Sequence, residues 1–206
     1  MRNFPSYKQS KPSGQYDAIV IGSGLGGLTT AALLSQHGQK VLVLEKHYTI
    51  GGFTHVFKRK DYEWDVGIHY VGDMHNNQKL MPRLFQHITQ GKLQWKDMGE
   101  VYDKIVFGDK TYDLVKGRKN LVAKLKSDFD TPEDHAAIDR YMEAVKNVIV
   151  SSRGFYSLKV VPGLVGKWLR KWTSRKFLKF SDITTLEMLR TFTDNEKLIG
   201  VLCGQY

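Results

Sequence analysis

Residues 18–45 read AIVIGSGLGGLTTAALLSQHGQKVLVLE, and this stretch decides the fold. An apolar run from Ala18 ends in Gly22-Ser23-Gly24-Leu25-Gly26-Gly27. An amphipathic stretch comes next and closes at Gly38; a second apolar run, Val41 to Leu44, ends in Glu45. That order is strand, glycine turn, helix, strand and carboxylate, the unit that holds the adenylate half of a dinucleotide. Gly22 permits the tight turn, Gly24 lets backbone approach a pyrophosphate, and Gly27 lets the helix pack close to the strand. Ser23 and Gly26 complete the turn, and the first helical amides point at the phosphates. Glu45 falls 18 residues after Gly27. A carboxylate there accepts hydrogen bonds from both ribose hydroxyls and repels a 2′-phosphate, which disfavours NADP at this site. The competing reading is an ordinary βαβ turn with a chance acid. A lone glycine motif is weak; strand before, helix after and acid at the expected distance favour the dinucleotide.

The residues after Glu45 separate one dinucleotide from another. Lys46 comes first, either covering the adenine side or simply exposed. Gly51-Gly52 leads to Phe53, Thr54, His55 and Val56, then to an extended stretch around Phe57 to Tyr62. A simple NAD domain would continue with more βα units. A glycine doublet running into a β-hairpin instead lets backbone approach a longer cofactor at several points.

Four pieces carry a family resemblance: YDAIVIGSGLGGL from Tyr16, VLVLEKH from Val41, the Gly51-Gly52 doublet with Thr54, and WDVGIHYVG from Trp64. They resemble the FAD-dependent family of phytoene desaturases, carotenoid isomerases and retinol saturases. The Asp-x-Gly-Ile-His-Tyr segment is most similar to the retinol saturase branch. The resemblance is strong from Tyr16 to Gly72 and looser beyond, although Leu202 to Tyr206 also resembles an internal family segment. It implies FAD as cofactor, its pyrophosphate at Gly22, Gly24 and Gly27, its ribose at Glu45, and Gly51 and Gly52 along the cofactor toward the flavin. Thr54 is a candidate cofactor contact, with a plain strand residue as the alternative. His69 is a candidate beside the flavin or the substrate, where a His suits proton transfer near neutral pH; a structural His is the alternative. Asp65 reads as a turn residue.

The resemblance further implies an oxidoreductase acting on carbon–carbon double bonds of an isoprenoid or polyene lipid, by reduction, desaturation or isomerisation, with NAD(P)H as a candidate electron donor. Family members are more than twice as long, so an N-terminal portion is expected. The alternatives are a non-catalytic nucleotide-binding or membrane-docking fragment and a plain NAD-dependent dehydrogenase.

The expected fold class is α/β: a Rossmann-like FAD/NAD(P)-binding domain with the start of an inserted α+β substrate domain. The expected divisions are a flexible tail at 1–14, a FAD-binding βαβ region at 15–75, and a substrate- or membrane-facing region at 76–206. Within the last, helices are predicted over Asn77–Gln90, Gly117–Lys126 and from Pro132, capped by Thr131, to about Val150. Strands Val101–Phe107 and Thr111–Val115 flank Gly108-Asp109, a type I′ hairpin signal. The single cysteine, Cys203, excludes an intrachain disulfide or a Cys-rich zinc site, and the histidines show no metal spacing. No apolar run approaches the roughly 20 residues of a spanning helix, and no signal-peptide pattern opens the chain. The expected location is therefore cytoplasmic, with membrane association through a basic segment.

That segment concentrates much of a formal net charge of +10. From Ala144 to Ser181 there is no acid, against nine lysines and arginines interleaved with large apolar residues. Leu164, Val165, Trp168, Leu169 and Trp172 share one helical face, with Lys167, Arg170 and Lys171 opposite. The phase breaks after Trp172, so the helix is expected to end before Phe180. Residues 155–180 read as a peripheral membrane contact. A core or tunnel-lining helix is the alternative, and nucleic-acid binding is disfavoured because no nucleic-acid fold accompanies the charge.

Overall fold

The structure, a computed structural model, describes residues 6–161 and 163–204, apart from the side chains at 160, 164–167 and 170–172. The first five residues of the expected tail and Gln205-Tyr206 lie outside it. The chain divides into two compact units, Met1–Lys96 and Asp97–Tyr206.

The first unit is built on the predicted strand–helix–strand. β1 (Ala18–Ile21) and β2 (Val41–Leu44) pair in parallel, Ala18 opposite Val41 and Ile21 opposite Leu44. The Gly22 N–H extends the ladder by donating to the Leu44 carbonyl at 2.7 Å. α1 (Leu25–Gln36) connects them, and Gly38 at φ +81° turns the chain back toward β2. Contrary to the expected amphipathic stretch, α1 has no single apolar face: its leucines and alanines surround it, and only Ala31 is buried. A 3-10 turn, Gly52–Thr54, leads to the hairpin of β3 (Val56–Arg59) and β4 (Tyr62–Asp65). Tyr62 thus opens the second strand. Lys60 takes φ +55° at the two-residue bend, a conformation that costs a side-chain-bearing residue. α2 (Leu80–Ile88) is shorter than its predicted span.

The second unit holds the larger core. β5 (Val101–Phe107) and β6 (Lys110–Val115) form an antiparallel hairpin. Gly108 takes φ +62° and Asp109 does not share the positive sign. This is the II′ pattern, with glycine first, and corrects the I′ expectation. α3 (Arg118–Asp128) packs beside β6, and α4 (Pro132–Ser157) begins at the predicted cap, where the Thr131 hydroxyl accepts the Asp134 N–H. Leu125, Ile138, Leu198 and Val201 are almost completely buried between these elements and α7 (Glu196–Cys203). α6 (Thr185–Arg190) opens with a reciprocal capping box between Thr184 and Glu187.

Two expectations about the basic segment are corrected. α4 continues past Val150 to Ser157, and α5 (Gly163–Ser181) is one helix rather than ending near Trp172. A slip in apolar phase does not break a helix when the residues between carry no proline or glycine, and α5 packs along α4, which absorbs the slip. Much of the predicted face falls on Leu164, Val165, Lys167, Arg170, Lys171 and Trp172, whose side chains lie outside the described residues. Trp168 is 71% exposed, and Arg175, Lys176 and Lys179 are also exposed.

A candidate dinucleotide site

β1 delivers the chain into the glycine turn with Gly22 at φ +98°, a conformation that favours glycine. Gly24 is the N-cap of α1, so the first amides of the helix emerge from this turn without intrahelical acceptors. A Cβ built on Gly27 would lie 2.0 Å from the Gly22 carbonyl oxygen, so only glycine permits this helix-to-strand approach. A Cβ on Gly24 or Gly26 would meet nothing within 4 Å. Those two face open space.

Ser23 is the hub of the turn and has no exposed surface. Its N–H donates to Glu45 Oε2 at 2.7 Å and its hydroxyl donates to the same oxygen at 2.6 Å. The His47 N–H donates to Oε1 at 2.8 Å. These bonds, the Ser23 hydroxyl foremost, pull the Glu45 carboxyl down to about 2 from an ordinary value of 4.5. Glu45 is therefore anionic at neutral pH and sits against the turn.

The glycine doublet joins the same cluster. The Gly51 N–H donates to both the Ser23 carbonyl and the Ser23 hydroxyl, each at 3.1 Å. A Cβ on Gly52 would lie 2.9 Å from the Cα of Gly24. Gly22, Gly24, Gly26, Gly27, Glu45, Gly51 and Gly52, scattered over 31 positions, thus gather around the buried Ser23 as one cluster of main chain flanked by one carboxylate. Lys46 is exposed beside Glu45. The Thr54 hydroxyl donates to the Gly51 carbonyl at 2.7 Å and closes the 3-10 turn, so Thr54 is a turn residue rather than a strand residue. His69 lies exposed in the irregular segment after β4 and is a candidate by position alone. Asp65 ends β4, paired with Val56.

Sequence reasoning passed over His47 and His55. Their ring centroids lie 5.0 Å apart, and the His55 Nδ1 contacts the Gly52 carbonyl. No spacing rule marks two loop histidines eight positions apart. Among the described residues no group of three His, Cys, Asp or Glu side chains is placed to hold a metal ion.

The turn, its helix and its acid define a dinucleotide-binding protein. Residues 20–88 match the family described as NAD(P)-binding Rossmann-like domain. More particularly, the chain has homologues among the all-trans-retinol 13,14-reductases over most of its length and among the prolycopene isomerases over about a quarter of it. It is 35% identical over 196 residues to all-trans-retinol 13,14-reductase of Danio rerio, which covers 90% of this chain and 32% of the relative. It is 34% identical over 210 residues to a Danio rerio protein named inactive all-trans-retinol 13,14-reductase, covering 96% and 34%. Over 55 residues it is 53% identical to the chloroplastic prolycopene isomerase of Daucus carota, covering 27% and 9%. The chain spans about a third of the length of the two reductase relatives.

Proposed function

We propose that the chain is the dinucleotide-binding portion of a FAD-dependent oxidoreductase acting on carbon–carbon double bonds of an isoprenoid or polyene lipid. One observation carries the cofactor reading: an anionic Glu45 held against a glycine turn whose Gly24 position opens on free space. The residues fit FAD. Gly24, Gly26 and Gly27 would hold the pyrophosphate by main-chain amides, while Gly22 and Ser23, whose N–H groups donate to Leu44 and Glu45, would shape the turn around it. Glu45 would accept the ribose hydroxyls, with Lys46 at the adenine side and Gly51, Gly52 and Thr54 along the cofactor. FAD, when bound, supplies hydride chemistry that no side chain can. The protein's own part is to place the cofactor and exclude water.

The polyene substrate class is supported by the names of the relatives and by the family resemblance. Saturase-like reduction is the direction we favour, because the reductases match most of this chain and the isomerase about a quarter. NAD(P)H is the candidate electron donor. No helix among the described residues is long and apolar enough to cross a membrane. A peripheral contact through residues 155–180 is supported by the exposure of Trp168 beside exposed arginine and lysines.

A second reading has its own support, since one relative of equal similarity is named inactive. Here the chain binds nucleotide without turnover. Purification of the chain, absorption spectroscopy in the flavin bands and a polyene assay separate the two. Retained flavin with turnover upholds the enzyme; retained flavin without turnover upholds the second reading. A colourless protein that binds NADH tightly overturns FAD.

A further inference from the structure

His47 lies two residues past Glu45 and His55 three past Gly52, and the first unit brings their rings together with centroids 5.0 Å apart. The ring planes are inclined at 55°, so the pair is not stacked face to face. Each ring is tied back by one nitrogen. His47 Nδ1 lies 3.1 Å from the Thr49 carbonyl oxygen, and His55 Nδ1 contacts the Gly52 carbonyl oxygen. The Thr49 N–H also approaches His47 Nδ1, at 3.3 Å, the longer of its two contacts. A carbonyl oxygen only accepts, so these bonds place the proton of each neutral ring on Nδ1 and the lone pair on Nε2. Neither Nε2 has a hydrogen-bond partner among the described residues.

Ligating histidines are held in this way: a backbone carbonyl takes one ring N–H and fixes the tautomer, and the other nitrogen is left for the ion. The spacing agrees. A zinc–nitrogen bond of about 2.0–2.1 Å puts the ring centroid about 3.2 Å from the ion. Two rings with centroids 5.0 Å apart then subtend about 100° at a shared ion, near the tetrahedral angle. Negative charge lies close by, since the His47 N–H donates to Oε1 of the anionic Glu45 at 2.8 Å. His47 is exposed and His55 half-buried, so water can reach an ion held between them.

We propose that His47 and His55 bind one divalent transition-metal ion through their Nε2 atoms, with water completing its coordination. Imidazole suits zinc, copper and nickel, whereas magnesium and calcium take oxygen ligands. Two protein ligands are fewer than the three of catalytic zinc sites or the four of structural ones, so the ion exchanges with solvent and does not hold the fold. The site stands apart from the FAD reading, because neither ring takes part in the contacts assigned to the cofactor.

The test is a calorimetric titration of the purified, untagged chain with zinc chloride, with magnesium chloride for comparison. One saturable zinc site per chain is expected and none for magnesium. His47→Gln and His55→Gln should each weaken zinc about tenfold or more. His55→Gln also releases the Gly52 carbonyl, so the unmodified chain gives an independent readout. At one equivalent of zinc, the imidazole NMR signals of His47 and His55 should shift together while those of the other five histidines stay in place. No saturable zinc binding, unchanged affinity in either folded variant, or shifts confined to other histidines overturns the site. Magnesium binding on equal terms overturns the choice of a transition metal. Zinc binding by a chain that retains no flavin upholds the site and counts against the FAD assignment alone.

Discussion

The buried hydroxyl of Ser23 donates to Glu45 Oε2 at 2.6 Å while accepting the Gly51 N–H at 3.1 Å. One small side chain thereby ties the end of the second strand and the glycine doublet to the first glycine turn. Ser23→Ala removes the largest cause of the lowered Glu45 carboxyl. We expect its pKa to rise from about 2 toward 4.5, read by carboxyl-carbon NMR titration. The same variant should retain less FAD, because the acid is no longer held at the turn. An unmoved Glu45 titration would contradict the hub role of Ser23.

The depressed Glu45 carboxyl sets a direction for acid sensitivity. A folded-state pKa below the unfolded value contributes stability that is complete above about 4.5 and is lost as pH falls toward 2. Glu45→Gln should flatten that part of the stability profile. It should also weaken FAD at neutral pH without adding a pH dependence between about 5 and 8, where Glu45 stays ionised. Chemical denaturation at a series of pH values checks the first claim and flavin titration the second.

Gly24 and Gly27 should fail differently. Gly27→Ala would drive a methyl into the Gly22 carbonyl oxygen, so it should cost several kcal/mol and unfold the first unit. Gly24→Val meets no protein atom close to its Cβ and should leave the melting temperature nearly unchanged while abolishing FAD retention. Full flavin content in Gly24→Val would falsify the pyrophosphate assignment.

Membrane contact is checked by sedimentation with anionic and neutral vesicles. Trp168→Ser with Lys176→Glu removes one exposed aromatic and reverses one exposed charge. Each basic residue near an anionic surface contributes about 1 kcal/mol. The double variant should therefore bind anionic vesicles several-fold more weakly. Equal sedimentation of variant and wild type on both vesicles speaks against the contact.

Asn195 caps α7 by accepting the Lys197 and Leu198 N–H groups, and its own amide donates to both oxygens of the buried Asp134 carboxylate. Asn195→Ala should cost about 1–2 kcal/mol from the cap alone. Removing the Asp134 partner adds to that, so the loss should exceed that of Thr184→Ala at the exposed α6 cap, measured by urea denaturation.

The strand–turn–helix–strand was legible because its signals are local: apolar runs of four, glycines where backbone must come close, an acid closing the second run. The meeting of Glu45 with the turn is a consequence of that topology. The part played by Ser23 was not legible, since a serine in a turn carries no pattern until the loop that brings Gly51 back is built. Thr131 and Pro132 announced α4 by cap chemistry, yet its end at Ser157 was hidden, because no cap residue stops it. The continuity of α5 was misread for a related reason. Apolar phase reports which face is buried, and a helix can change the face it buries without ending.

Gly24 and Gly52 abut main chain to main chain, 28 positions apart in sequence. Neither can acquire a side chain of its own accord: at Gly52 the newcomer collides with its neighbour, and at Gly24 it obstructs whatever lies across both. The two loops are therefore bound to a shared evolutionary fate, and a chemist redesigning one must treat the pair as a single bald seam.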